Sequence, residues 1–111
     1  MATYIEGGVV RFYTSTPFTS ISGVVIDPDV VTFSYAVQGQ TTVTYTFTQP
    51  TGDPSGKIIQ TAAGTYQIDL DTTGLDGTWA YQWKGSPSSG LDVTATQVVY
   101  DGEVLISPAA L

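Results

Sequence analysis

The sequence predicts an all-β protein, a sandwich of two antiparallel sheets with about seven to eight strands. Thr, Val, Tyr, Phe and Trp dominate the apolar and semi-polar positions, and these side chains pack well on a pleated surface while losing rotamer freedom in a helix. Short alternating segments recur at spacings near a dozen residues, and none has the helical period. The length of 111 residues predicts a single domain, residues 1–111, with one hydrophobic core.

The first two strands are predicted on either side of a turn. Residues 9–14 follow Gly7-Gly8, and Pro17 interrupts the chain soon afterwards. Because proline cannot donate to a ladder, we expect an edge strand here. Asp27-Pro28-Asp29 favours a turn that leads into residues 30–37. That strand has a period of two, and one of its faces is formed by Val31, Phe33, Tyr35 and Val37.

Residues 42–48 form the next predicted strand, which is apolar on one face. Val43, Tyr45 and Phe47 lie on that face, and four threonines lie on the other. Residues 49–56 are rich in turn-forming residues and predict a surface loop. A weaker strand is expected near residues 57–60.

Two alternating segments, residues 64–70 and 78–84, are expected to form the heart of the core, with a corner at residues 71–77 between them. Trp79, Tyr81 and Trp83 share one face of the second segment. Their spacing would also suit an exposed strip that stacks on sugar rings. Burial is the favoured interpretation, because the central strand after the corner of a sandwich carries core aromatics.

The last part of the sequence allows two interpretations. Residues 85–90 predict a loop rich in Ser, Pro and Gly. Residues 93–100 and 103–106 flank Asp101-Gly102, a dipeptide that favours a tight type I′ hairpin. A bulge within one long strand is the competing interpretation. Residues 1–8 and 107–111 are expected to be extended termini that can pack on a neighbour.

The composition argues against catalysis. The chain has no histidine and no cysteine, which removes zinc and copper sites, thiol nucleophiles, histidine general bases and disulfides. Glu6 and Glu103 are the only glutamates, and neither lies in a setting typical of a glycosidase carboxylate pair. We therefore predict no enzyme activity, no catalytic residue and no cofactor.

The charge balance excludes further classes of partner. Ten acidic residues and three basic ones, Arg11, Lys57 and Lys84, give a net charge of −7. A nucleic-acid binder needs a basic stripe that displaces counterions from phosphates, so DNA and RNA are not expected as partners. The N-terminus lacks the basic and apolar regions of a signal peptide, and no stretch approaches the ~18 apolar residues that span a bilayer. The expectation is a soluble protein that shows no sign of its own export and has no membrane partner.

Asp69, Asp71 and Asp76 lie around the predicted corner and are weak candidates for calcium, which takes about six to eight oxygen ligands. Their spacing matches no dedicated calcium loop. Aspartate and glycine are also ordinary corner residues, so a solvated turn bonded to its own backbone is favoured, and no metal site is predicted.

Several motifs, in their order along the chain, resemble a family of small immunoglobulin-like domains encoded among the virion genes of tailed bacteriophages. The motifs are residues 23–33 (GVVIDPDVVTF), 49–52 (QPTG), 64–66 (GTY), 77–83 (GTWAYQW) and 101–106 (DGEVLI). The resemblance implies an immunoglobulin-like sandwich and a place among virion accessory proteins, which include capsid decoration proteins and head or tail appendages. Residues 12–22 depart from the family pattern because they are polar and broken by Pro17.

The resemblance implies a capsid decoration protein that binds the outer surface of the head and stabilises it, with the major capsid protein or another virion protein as its partner. Docking at three-fold positions would make it a trimer by symmetry matching. Two alternatives remain open: a carbohydrate- or host-surface-binding module, and a head–tail joining or tail accessory protein.

The expected partner contacts lie at edges, loops and termini rather than in a pocket. Arg11 can either pair with an acidic neighbour across the sheet or anchor an interface. The full set of contact candidates is Arg11, Tyr13, Pro17, Phe18, Pro50, Pro54, Lys57, Pro108 and Leu111.

Overall fold

The computed structural model describes residues 2–14, 17–19, 24–25, 27–49, 51–86 and 97–108. Within these ranges the chain forms eight strands and no helix, which confirms the all-β prediction. The strands are β1 (Ala2–Ile5), β2 (Val9–Tyr13), β3 (Val30–Val37), β4 (Val43–Thr48), β5 (Ile58–Ala62), β6 (Thr65–Asp71), β7 (Gly77–Ser86) and β8 (Gln97–Ser107).

The strands form two sheets. Five strands make the large sheet, in the order β1-β8-β7-β3-β4, and three make the small sheet, in the order β2-β6-β5. This division is similar to that of the immunoglobulin sandwich, in which strands B, E and D share one sheet and strands C, F and G share the other. In this chain β2, β6 and β5 take the places of B, E and D, and β3, β7 and β8 those of C, F and G. The sandwich prediction is confirmed, as is the edge position predicted for the strand that became β2. Every pair is antiparallel except β1 with β8, which is parallel.

Alternation along the strands builds the core between the sheets. The buried side chains of β6 are Tyr66, Ile68 and Leu70, and those of β7 are Trp79 and Trp83. These are the two central segments that the sequence predicted as the heart of the core. Within the described ranges, the buried apolar core is formed by Val10, Phe12, Phe18, Val31, Phe33, Val37, Ile58, Tyr66, Ile68, Leu70, Trp79, Trp83, Val104 and Ile106.

Phe12 of β2 joins the two sheets through its contacts with aromatic rings of β7. Its ring lies 6.0 Å from Trp79, nearly parallel to it, and 5.0 Å from Tyr81. Aromatic pairs at such distances contribute about 0.5–1.5 kcal/mol each beyond the area they bury. Ring packing therefore supplies the inter-sheet contact in this cysteine-free chain.

The first eight residues, predicted to be an extended terminus, contain strand β1. Ala2 pairs with Val104 and Ile5 with Ser107, and the Glu6 N–H donates to the Ser107 carbonyl at 2.8 Å. At the other end, β8 runs to Ser107 and Pro108 is exposed. Residues 109–111 of the second predicted extended terminus lie outside the described residues.

The hairpin predicted at Asp101-Gly102 is wrong, because β8 runs through both residues without a turn. The competing prediction of one long strand is confirmed. The pairing of β8 with β7 shifts register before Asp101: Trp83 pairs with Tyr100, but the next residue, Lys84, pairs with Val98. The β7 strand also extends through residues 85–86, which the sequence assigned to a loop, and residues 87–90 of that loop lie outside the described part of the chain.

Candidate protein-binding face on the small sheet

The outer face of the small sheet carries the side chains that alternation turns away from the core. On β2, Val10 and Phe12 are buried, so Val9, Arg11 and Tyr13 point outwards. The same alternation places Gln67, Asp69 and Asp71 of β6 and Ile59 of β5 on this face. We call these seven residues, together with Lys57, the docking face.

An apolar row crosses all three strands of the docking face. Tyr13 of β2 and Ile59 of β5 both pair with Gln67 of β6, so the three side chains lie side by side. Tyr13 is 62% exposed and Ile59 is 51% exposed. Two large apolar side chains on paired strands are therefore exposed to solvent, one on each side of the Gln67 amide.

A charged row lies next to the apolar row. The Arg11 guanidinium donates two hydrogen bonds to the Asp69 carboxylate, from Nε at 2.8 Å and from Nη2 at 3.0 Å. These bonds raise the pKa of Arg11 and lower the pKa of Asp69 from its ordinary value. Of the two roles predicted for Arg11, the cross-sheet pair is present, and the guanidinium stays accessible because both side chains are largely exposed.

Lys57 completes the charges of the docking face. It is exposed just before β5, and its charge adds to the lowering of the Asp71 pKa. The main cause of that lowering is the hydroxyl of Thr73, followed by its backbone N–H, at 2.7 and 2.9 Å. The docking face thus holds two of the three basic residues against two engaged carboxylates, whereas the rest of the sequence has eight acidic residues and one basic residue.

The structure separates the contact candidates named from the sequence. Arg11, Tyr13 and Lys57 come together on the docking face. Pro17, Pro54 and Pro108 are exposed elsewhere, and Pro50 and Leu111 lie outside the described residues.

Phe18 is a correction, because it belongs to the core and not to the surface. The side chain is 1% exposed, and its ring makes an edge contact with Tyr66 at 5.7 Å between centroids. Gly85 lies against the same ring, and Pro28 also lies close to Gly85. The break at Pro17 misled the sequence prediction, since the next residue is held against the core, where the Phe18 N–H donates to the Gly64 carbonyl at 2.9 Å.

The calcium candidates have other bonding partners. Asp69 binds Arg11, and Asp71 caps its own turn through Thr73, as the self-bonded alternative expected. Asp76 is exposed. Across the described ranges, no group of three or more His, Cys, Asp or Glu side chains is arranged to hold a metal ion.

Three residues of the docking face were missed by the sequence prediction, namely Val9, Ile59 and Gln67. A signal for two of them was present in the pairs Val9-Val10 and Ile58-Ile59. Successive side chains of a strand point to opposite faces, so one member of each pair had to be exposed. Which member faces the core depends on the facing sheet. The position of Gln67 between Tyr13 and Ile59 depends on register and had no local signal.

The aromatic strip on β7 is part of the core, as the favoured interpretation stated. Trp79 and Trp83 are fully buried, and the Trp79 indole donates to the Leu75 carbonyl at 2.8 Å. Tyr81 is half-buried between Phe12 and Phe33. The indole rings therefore lie out of reach of a sugar.

The outer face of the large sheet offers a different surface. A shallow groove there is lined mainly by small and polar residues, including Ser34, Ala36, Ala80, Gln82 and Glu103. Small side chains present little apolar area to a partner. The docking face, with its exposed Tyr and Ile, is the better candidate for a protein contact.

No protein-family model matches the chain, and no curated protein matches it. The part of the chain that the structure describes contains no helix able to cross a membrane.

Proposed function

We propose that this protein is a structural accessory protein of a tailed-phage particle, which binds the outer surface of the capsid and stabilises it. The family resemblance of the sequence motifs supports the virion setting. The observation that carries the binding role is the exposed row of Tyr13 and Ile59 beside Arg11 on the docking face. Binding, rather than chemistry, is the activity of the molecule.

The composition of the docking face suits a protein partner. Tyr and Arg are enriched in the energetically dominant centres of interfaces, where a few side chains supply most of the affinity. Sites for small molecules are instead concave and enclose most of the ligand. Because the row stands on three paired strands, little conformational entropy is lost when a partner binds.

Binding itself supplies the stabilising mechanism. A protein that binds the assembled shell and not its free subunits stabilises the shell in proportion to ln(1 + [L]/Kd), where [L] is the free protein concentration. Many copies across the lattice add their contributions. The net charge of −7 repels identical copies over most of their surfaces and steers each one towards a basic partner surface.

Cryo-electron microscopy of the particle tests the proposal. Density for the sandwich on the capsid lattice, with the small sheet turned towards the major capsid protein, is the expected result. Density at the tail or at the head–tail junction would favour the tail accessory alternative instead. A complete particle without the protein would overturn the proposal.

A further inference from the structure

Among the residues that the structure describes, no strand pairs with the outer side of β4, which forms an edge of the large sheet. It is the last strand in the sheet order and pairs with β3. Its sequence, VTYTFT, has no charged residue and no proline. Natural edge strands usually carry such residues to prevent pairing with another chain, so a neutral edge is suited to accept a strand.

The hydrogen bonds of Thr48 show which backbone groups face outwards. Its N–H donates to Gly52 at 3.1 Å, and its carbonyl accepts from the Gly52 N–H at 2.6 Å. The backbone N–H and carbonyl of Thr48 therefore point away from β3. Because backbone groups alternate in direction along an antiparallel strand, those of Thr44 and Thr46 point the same way. The hydroxyls of Ser34 and Thr44 are joined by a 3.0 Å hydrogen bond. Paired side chains approach most closely where the two residues exchange no backbone hydrogen bonds, which agrees with an outward direction for the Thr44 backbone groups.

We propose that β4 pairs antiparallel with β4 of a second copy and makes a two-fold symmetric dimer. Gly52 already occupies the outward groups of Thr48, and the strand begins at Val43, so Thr44 and Thr46 supply the free groups. A register that centres on Tyr45 sets Thr44 of each copy opposite Thr46 of the other. Each such pair exchanges two hydrogen bonds, so the register makes four hydrogen bonds between the two copies.

The side chains of β4 complement themselves in this register. Val43, which is 37% exposed, meets Phe47 of the second copy, and Tyr45 meets Tyr45. Phe47 and Tyr45 are half-buried in the single chain. Directly opposed aromatic and β-branched side chains stabilise a sheet by about 0.2–1 kcal/mol per pair. The dimer thus covers apolar edge area that the single chain leaves in water.

A second copy can approach at β4 because this strand adds no charge repulsion of its own. Two chains of net charge −7 repel each other over most of their surfaces, and an uncharged strand is where they can approach. Asp53, close to the Gly52 cap, is held by internal donors: Oδ1 accepts from the backbone and hydroxyl of Ser55, and Oδ2 accepts from the N–H of Ile58. The inference does not depend on the proposed function, because β4 and the docking face belong to different sheets.

Sedimentation equilibrium of the full chain from micromolar to millimolar concentration tests the dimer. The wild type should associate to a dimer. Thr46→Pro should weaken association by about tenfold or more, because proline removes an outward N–H while leaving the β3 ladder intact. Thr46→Val is the matched control, since it keeps the N–H and should still dimerise.

A wild type that stays monomeric or forms trimers overturns the inference, and so does a Thr46→Pro variant that dimerises like the wild type. A monomeric Thr46→Val variant contradicts pairing through the backbone. If Thr46→Pro does not fold, amide hydrogen exchange of the wild type decides. The Thr44 and Thr46 amides should become protected as concentration rises, and protection that does not change with concentration would exclude the proposed pairing.

Discussion

At the residue scale, two buried threonines have hydrogen-bond partners distant in sequence. Thr14 is 2% exposed, and its hydroxyl accepts from the Tyr66 N–H at 3.0 Å, while its own N–H donates to the Tyr66 carbonyl at 3.0 Å. Thr72, which is fully buried, donates through its hydroxyl to the Gly8 carbonyl at 2.7 Å. These two threonines tie the ends of β2 to β6. Their polarity suggests surface positions, and only the fold explains their burial.

Replacement of Thr14 by valine should lower the free energy of unfolding by about 1–3 kcal/mol, because the buried Tyr66 N–H loses its acceptor. Urea denaturation at neutral pH measures the change. Thr46→Val serves as a surface control and should change stability by less than about 0.5 kcal/mol. Equal effects for the two variants would show that the Thr14 hydroxyl has no structural role.

Asp53 ties the loop between β4 and β5 to the start of β5. Burial alone would raise the pKa of this carboxyl, but donors from Ile58, Ser55 and Lys57 outweigh that effect and hold the pKa below its ordinary value of 3.8. The unfolded chain therefore binds the proton more tightly than the folded one. The stabilisation is complete above the unfolded value and is lost as the pH falls through the folded pKa.

We expect Asp53→Asn to lower the free energy of unfolding at pH 7 by about 1 kcal/mol. The amide NH₂ group of the new side chain can face the Ile58 N–H, and two donors cannot form a hydrogen bond. The difference from wild type should shrink as the pH falls below 3.8, where the unfolded carboxyl takes up its proton, and vanish below the lowered pKa of the folded carboxyl. Urea titrations at a series of pH values measure both effects. Asp76→Asn, at an exposed position, is the control, and a difference from wild type that is independent of pH would contradict the assignment.

At the element scale, Gly85 and Gly102 of the large sheet lie within strands, where the lack of a side chain lets aromatic rings pack against the backbone. A Cβ on Gly102 would lie 3.0 Å from the Tyr81 hydroxyl, which packs over β8. Gly102 does not have the positive φ that a type I′ turn requires. The Asp101-Gly102 dipeptide therefore led to a wrong hairpin prediction, because the glycine makes room for the Tyr81 ring and not for a turn. A local dipeptide cannot show what packs against it.

Gly85 of β7 offers a direct test of such packing. A Cβ there would lie 2.9 Å from the Phe18 ring and 3.0 Å from Pro28. Gly85→Ala should lower the free energy of unfolding by about 1–3 kcal/mol, since both neighbours are buried and cannot move aside without strain. Gly8→Ala, whose Cβ would meet only an ordinary contact at 3.8 Å, is the matched control. Thermal unfolding of both variants gives the comparison, and an unchanged Gly85→Ala protein would refute the packing argument.

At the scale of the whole molecule, the two surfaces proposed for binding lie on different sheets. The docking face lies on the outside of the small sheet, and the open edge of β4 lies in the large sheet. A dimer through β4 would present two docking faces. If both engage one lattice, the second contact forms at a raised effective concentration.

The docking face predicts which surface residues matter for binding. Tyr13→Ala with Ile59→Ala should weaken attachment to the particle by about tenfold or more, because the variant removes both exposed apolar side chains of the row. Tyr4→Ala with Ile5→Ala is the matched control, since these residues are 39% and 67% exposed on β1 of the other sheet. Co-sedimentation with particles stripped of the protein measures attachment. A greater loss in the control pair would place the contact on the large sheet.

Most strands were predicted because their signals are local. The limits of β3 match the predicted residues 30–37, and the alternation of β6 and β7 gave the buried side chains of the core. Strand β1 was missed: it has four residues, all of them exposed, and pairs with β8 near the other end of the chain. A segment without a buried face leaves no alternation to detect.

The sequence by itself determined the all-β class, the inward face of the longer strands, the lack of histidine and cysteine chemistry, and the neutrality of β4. Tertiary structure alone decided that Arg11 meets Asp69, 58 residues away, that Tyr13 and Ile59 flank Gln67, and that Phe18 is buried. Alternation is fixed by the geometry of each strand, so it can be recognised within a few residues. Register between strands depends on residues far apart in the chain, and these meet only when the two sheets pack together.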